Sequence, residues 1–183
     1  MRTVIFSMAM SLDGYVNGPD GSFDWGAPDE ELHQFHNDRV REQDVQLSGR
    51  RLHEVMRYWD AEDEGRGPVE RDFAEVWRAL PKVVFASAPP PGGLGPNARM
   101  ATASVADEVR AIEDGVVGVG GATLAAALAR EDLIDEYHPF IYPVIVGGGT
   151  PFFAPGVPQT ALELAGRREF AGGVTHLRFR RVR

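Results

Sequence analysis

Apolar and polar positions along the chain switch repeatedly between the strand period and the helix period. Thr3 to Met10 is a run of strand formers; the segment after it, Ser11 to Pro28, carries four glycines, two prolines and three aspartates, the chemistry of a long surface loop. Asp29 and Glu30 then open a stretch that places Leu32, Phe35, His36 and Val40 on one helical face and ends near Arg41, with acids suited to the positive end of a helix. Val45 to Ser48 reads as a short strand, Gly49 as the turn out of it, and Arg50 to Tyr58 as a helix with Leu52, Val55 and Met56 inward. Gly65, Gly67 and Pro68 break the chain, and a helix follows from about Val69 to Leu80. Lys82 to Ser87 reads as a buried strand, whereas Ala88 to Asn97, with four prolines and three glycines, excludes regular structure. A helix over Val105 to Ile112 precedes a strand at Val116 to Val119, which turns at Gly120 and Gly121 into an alanine-rich helix reaching about Arg130. Ile134 to Val146 is long enough for one strand, although Pro139 and Pro143 demand an edge, a bulge or an interruption. Leu162 to Phe170 and Val174 to Val182 flank Gly172-Gly173 as a closing hairpin, whose second arm turns Thr175, Leu177 and Phe179 one way and His176, Arg178 and Arg180 the other.

Repeated strand-then-helix units predict an α/β domain: a mixed, mostly parallel sheet with helices on both faces and an antiparallel C-terminal hairpin. At 183 residues, with 43% hydrophobic and 25% charged positions, residues 1–183 are expected to form a single domain. The apolar run Val4 to Met10 is short and leads into Leu12-Asp13-Gly14, so it reads as a strand and not as a signal peptide. No stretch approaches the roughly 20 apolar residues that cross a bilayer. Cysteines are absent, and a cytoplasmic location is expected. A net charge of -8 opposes a phosphate backbone, so neither nucleic acid nor membrane is an expected partner. The arginines at 178, 180, 181 and 183 run against that balance and read as a solvated strand face.

Two segments share one physical form, a buried strand, then glycine, then the first turn of a helix. They are Val45-Gln46-Leu47-Ser48-Gly49-Arg50-Arg51 and Val116-Val117-Gly118-Val119-Gly120-Gly121-Ala122-Thr123. Unpaired amides and the helix dipole attract anions at such a start, and glycine lets a phosphate approach the backbone. Either segment alone also fits an ordinary turn. Thr123 stands where the dinucleotide fingerprint requires glycine or alanine, which disfavours a standard Rossmann domain. Arg50 and Arg51 favour a nucleotide, since their guanidinium groups can fork onto phosphate beside those amides.

Met10-Ser11-Leu12-Asp13-Gly14, Leu47-Ser48-Gly49-Arg50-Arg51, Val83-Val84-Phe85-Ala86-Ser87 and Gly118-Val119-Gly120-Gly121-Ala122-Thr123 occur in the order found in the dihydrofolate-reductase-like superfamily, which the chain resembles. Pro143-Val144-Ile145-Val146-Gly147-Gly148-Gly149-Thr150-Pro151 further resembles the reductase domain of the riboflavin-biosynthesis deaminase-reductase and its small standalone bacterial relatives. The resemblance spans nearly the whole chain. It implies NADPH as cofactor, with Gly49, Arg50 and Arg51 at the adenosine-side phosphates and Ser87 beside the adenosine ribose phosphate. It also implies that Gly120, Gly121, Ala122 and Thr123 wrap the pyrophosphate, through a cis peptide between the two glycines, and that Ala9 lines the nicotinamide end. Arginine beside the 2'-phosphate is the reason to prefer NADPH to NADH.

On the substrate side, the resemblance makes Asn17 to Trp25 a lid, with Trp25 shielding the hydride path. Asp13 matches an acidic motif position and reads equally as a turn aspartate that accepts backbone amides. Glu31 approaches the pterin-handling carboxylate position if two residues are inserted, and otherwise reads as a solvated first-turn acid. Leu52 replaces the usual phosphate-binding threonine, and the riboflavin-type D-N-P-x-L-x-x-R motif is missing. No deaminase zinc motif occurs, and His33 and His36 lack the supporting pattern of a metal site. The expectation is an NADPH-dependent oxidoreductase acting on a small pyrimidine- or pterin-like heterocycle, closest to 5-amino-6-(5-phosphoribosylamino)uracil reductase or dihydrofolate reductase. The alternative is a nucleotide- or pterin-binding module without turnover. Relatives are commonly homodimers, and the Ile134 to Val146 strand is the expected interface.

Overall fold

A computed structural model describes residues 1–183. In chain order the elements are β1 (Arg2–Ser11), α1 (Glu30–Arg41), β2 (Val45–Gly49), α2 (Arg50–Met56), α3 (Pro68–Ala79), β3 (Lys82–Phe85), β4 (Ala98–Met100), α4 (Val105–Arg110), β5 (Gly115–Gly120), α5 (Ala122–Arg130), β6 (Glu136–Tyr142), β7 (Leu162–Glu169) and β8 (Thr175–Arg181), with short 3-10 turns at Asp24–Gly26 and Arg57–Asp60. The eight strands form one sheet in the order β4-β3-β2-β5-β1-β6-β8-β7. The first six in that order run parallel, and only the β6–β8 and β8–β7 pairs are antiparallel.

Local chemistry sets the helix starts. The Asp29 side chain accepts from the Leu32 amide at 2.8 Å and caps α1. Pro68 opens α3, where Glu70 reaches back to the Gly67 amide at 2.8 Å. Right-handed connections put α1, α2 and α3 on one face and α4 and α5 on the other. The α4/α5 face holds the larger core, in which Val4, Phe6, Val117 and Val119 of the sheet meet Ala125 and Leu128 of α5. The opposite face is polar for a buried surface: Gln46, Ser48, Glu136, His138 and His176 all lie beneath the α1 side. A side chain on Gly118 or Gly120 would overlap Gln46, which explains glycine at both positions.

Four expectations are corrected. The strand expected over Ile134 to Val146 spans only Glu136–Tyr142, because Pro143 has no amide to continue the ladder. It is also an interior strand, paired with β1 on one side and β8 on the other, so it has no free edge for a partner's strand; its β8 ladder is made at Glu136, Tyr137, Phe140 and Ile141 and skips His138 and Pro139. In α2 it is His53 that is buried, with its ring nitrogen 2.9 Å from Leu94 O, while Val55 is 45% exposed. The terminal arginines are not a uniformly solvated face, since the Arg181 side chain is buried against Asp132 and Arg178 Nε lies 3.2 Å from Glu136. Finally, every peptide bond is trans, including Gly120–Gly121; the turn there is made by the positive φ of Gly121, +103°.

Candidate active site

Two strand ends open side by side at one edge of the sheet. β2 and β5 are parallel neighbours with Ser48 opposite Gly120, so Gly49 and Gly121, which lead into α2 and α5, share that edge. Because α2 and α5 leave toward opposite faces, their starts diverge at a switch point, the place at which open α/β sheets collect ligands. First-turn amides have no partner within their own helix and point into it. A side chain on Gly49 or Gly121 would meet no atom within 4 Å, so both backbones are open to close approach. Gly120 differs: a Cβ there would overlap Leu52, so it packs against α2 while its neighbour faces outward.

The side chains at the edge divide into free and committed groups. Arg51 is exposed and makes no ion pair, whereas Arg50 Nε donates to Glu54 Oε1 at 2.8 Å. Ser87 is exposed just beyond β3, whose Phe85 pairs with Gly49, so it stands at the same edge. Thr123 is exposed, but the Ala122 side chain is buried in the α5 core and leaves only its backbone for a ligand. The Gly121 amide lies 3.2 Å from Met8 Sδ, a contact that sequence reading did not anticipate.

A second group of candidate residues lies at the C-terminal ends of β1 and β6. Ala9 pairs with Phe140 across those strands and packs with Trp25 against the cluster of Leu32, Phe140, Tyr142, Phe170 and Val174. Trp25 meets the Tyr142 ring edge-on, with centroids 5.5 Å apart. The Tyr142 hydroxyl donates to Gly26 O at 3.0 Å and fastens the far end of the long loop. Burial, reinforced by the Asp29 charge, raises the Tyr142 pKa to about 12, so this hydroxyl remains a donor at neutral pH.

Asp13 sits on the loop after β1 and accepts from the amides of Val146 at 3.1 Å and Gly147 at 2.8 Å. Hydrogen bonding, from Ser11 first and then these amides, holds its carboxyl below the usual range. A carboxylate so held has no proton to give at neutral pH; its geometry is that of an anchor between two loops. The same seam joins Val16 N to Thr150 O at 2.8 Å and Thr150 N to Asn17 Oδ1 at 2.9 Å. Gly149, with φ +124°, is essential to it, because any side chain there would overlap the Asn17 carbonyl.

Glu31 is turned outward. It accepts from Arg168 Nη2 at 2.9 Å and from the Ala171 amide at 3.3 Å, beside an open groove on the outer side of α1. Asp29 instead lines a cavity of about 240 Å³ with Trp25, Leu32, Tyr142, Val144 and Val174. Its sequence signal was its place just ahead of a helix, which identifies a cap and says nothing about a cavity.

The sequence profile of the RibD C-terminal domain matches residues 2–176. The chain belongs to the RibD C-terminal domain family. Within reach of that family, it is 24% identical over 180 residues to the uncharacterized protein YyaP of Bacillus subtilis (strain 168), covering 96% of this chain and 93% of YyaP. A crystal structure from Shewanella sp. PV-4, of a protein named for riboflavin biosynthesis, superposes with a TM-score of 0.75 at 20% identity, covering 100% of both chains. Dihydrofolate reductase from Enterococcus faecalis, solved with NADP(H), superposes with a TM-score of 0.63 at 13% identity, covering 99% of this chain and 97% of that one. These superpositions establish the dihydrofolate-reductase-like fold for this RibD C-terminal domain.

Proposed function

We propose that this protein is an NADPH-dependent reductase that delivers hydride to a small planar heterocycle of the pyrimidine or pterin kind. The observation that carries the proposal is the pairing of Ser48 with Gly120, which sets two open, glycine-led helix starts next to each other. A dinucleotide has two phosphate groups to place and a third in its phosphorylated form, and the edge offers two sets of free amides and an unpaired guanidinium for them. NADPH, when bound, supplies the hydride. Gly49, Arg50, Arg51 and Ser87 hold its adenosine side, the backbone of Gly120 to Thr123 holds the pyrophosphate, and Ala9 supports the nicotinamide end. Trp25 and the loop it ends exclude water from that end, with Asp13 fixing the loop's root and Tyr142 its far side. Positioning of the reactants supplies most of the rate enhancement, and water supplies the proton.

Fluorescence titration with NADPH and NADH tests this directly. Tighter binding of NADPH is expected, followed by its oxidation when a suitable acceptor is added; binding with no acceptor able to oxidise it would leave a dinucleotide-binding module, and absence of binding would overturn the proposal.

The protein is further proposed to act as a homodimer, joined through the closing hairpin and not through β6. No helix covers the α5 side of β7 and β8, where Leu164 pairs with Phe179, and Leu164 and nearby Phe153 are 55% and 50% exposed. Light scattering is expected to show a dimer for the wild type and a monomer for Leu164→Asp; a monomeric wild type would contradict this face as an interface.

A further inference from the structure

The cavity between the long loop and the ends of β6 and β8 specifies the kind of molecule that fills it. We infer that it takes a small, planar, largely apolar compound that bears a hydrogen-bond donor and no phosphate, and that this compound is the hydride acceptor. The second half of that statement rests on the reductase reading; the first half rests on the cavity alone.

Position comes first. The cavity opens where β6 ends, and its wall residue Trp25 packs on the same apolar cluster as Ala9 of β1. Next to Trp25, Gly26 lies so close to Ala9 that a Cβ on it would stand 4.0 Å from that of Ala9. Size comes second. At about 240 Å³ the cavity falls below the roughly 300–1,000 Å³ that accommodates drug-sized ligands, so it suits one ring system without a long polar appendage.

Charge is decisive. Six of the nine lining residues are hydrophobic, and no lysine, arginine or histidine is among them. The one carboxylate is Asp29, and the Tyr142 hydroxyl is already donating to Gly26 O. A phosphate dianion placed here would find no cation and would face a like charge. Arg168 lies on the separate open groove outside α1 and is paired with Glu31. Asp29 itself is held rigidly, because Oδ1 accepts from Leu32 N at 2.8 Å and Oδ2 accepts from Gly172 N at 3.1 Å. Each of those oxygens keeps a further lone pair, so Asp29 can accept from a ligand N–H without surrendering its cap. The Trp25 indole nitrogen is buried without a partner, and its ring presents a flat apolar wall. The site therefore selects against the phosphoribosyl group of the riboflavin-pathway pyrimidines, in keeping with the missing D-N-P-x-L-x-x-R motif.

The test uses the full chain and three probes: 2-aminoquinoline, quinoline-2-carboxylate as its anionic near-isostere, and 5-amino-6-(5-phosphoribosylamino)uracil. Titrations are followed by tryptophan fluorescence and calorimetry without cofactor, and NADPH is titrated separately. 2-Aminoquinoline is expected to bind and to lose its fluorescence response, but not its calorimetric signal, in Trp25→Phe. Asp29→Asn retains a good helix cap, so it should fold, while weakening 2-aminoquinoline about 10-fold through loss of a charge-assisted bond and narrowing the preference over the carboxylate. Preference for the phosphorylated pyrimidine, or an Asp29→Asn affinity equal to wild type, overturns the inference. Failure to bind 2-aminoquinoline with NADPH binding intact overturns it while sparing the reductase reading; failure of NADPH alone overturns the reductase reading and leaves the cavity's preference standing.

Discussion

The double variant Arg50→Ala, Arg51→Ala is expected to bind NADPH about 100-fold more weakly than wild type while its affinity for NADH falls by no more than about threefold. The two cofactors differ only by the 2'-phosphate, and charge-assisted bonds from guanidinium groups are the interactions that this group adds. The two arginines are not equivalent. Arg51 is free, whereas Arg50 must give up Glu54, 2.8 Å away, before it can engage a phosphate. Arg51→Ala alone should therefore produce most of the loss. Fluorescence titration of both cofactors measures the ratio, and equal weakening of the two would show that the arginines do not read the 2'-phosphate.

Acid destabilises this fold through its buried imidazoles, among them the neighbouring pair His138 and His176. His138 and His176 are 2% and 6% exposed, with rings 5.3 Å apart, and His176 stacks on Phe140 with centroids 4.4 Å apart. Burial lowers the His138 pKa to about 4, with the Glu136 carboxylate 2.9 Å away opposing that shift and Arg39 and Arg178 adding to it. Burial lowers His176 to about 3, reinforced by His138, Arg39, His36 and Arg178. In the unfolded chain both titrate near 6.5, so from about pH 6.5 down to about pH 4 the unfolded state binds two protons that the folded state refuses. Stability is thus full above that window and is lost as the pH falls through it, at about 2.7 kcal/mol per pH unit for the pair at its steepest. Urea unfolding at pH 7.5, 6 and 5 measures the slope. His176→Phe, which keeps the ring stack, should reduce it by one proton's share, about 1.4 kcal/mol per pH unit; a wild-type stability unchanged between pH 7.5 and 5 would contradict this account.

Those histidines also show what the sequence conceals. The helical positions of α1, the strands β2, β3 and β5, and the closing hairpin were legible because periodicity and glycine or proline punctuation agree there. β4, only Ala98–Met100, is too short to carry a period and follows directly on a proline-rich segment. The buried side of β8 was not legible, because His176 and Arg178 look like the solvent face and Leu177 and Phe179 like the core. Packing covers both sides: α1 buries His176, whose ring centroid lies 5.2 Å from that of Phe35, while Phe179 on the other side packs only part-buried at the margin of the main core. The edge with the two glycine-led helix starts was readable as two local motifs, but their adjacency depends on β5 inserting between β1 and β2, a long-range pairing with no local signature. On the substrate side the family resemblance directed attention to Glu31, by a count along the chain with two inserted residues that does not fix the direction of a side chain. The ion pair with Arg168 turns it outward, and the capping residue Asp29 faces the cavity instead.

Amide hydrogen exchange with and without saturating NADPH tests most directly whether the two helix starts act as one phosphate site. The first-turn amides of α2 and α5 have no intrahelical acceptor and should exchange rapidly in the free protein. Joint slowing at Arg50 to Leu52 and at Ala122 to Leu124 is the predicted result. Protection confined to one of these turns, or found at neither while NADPH is bound, would contradict it.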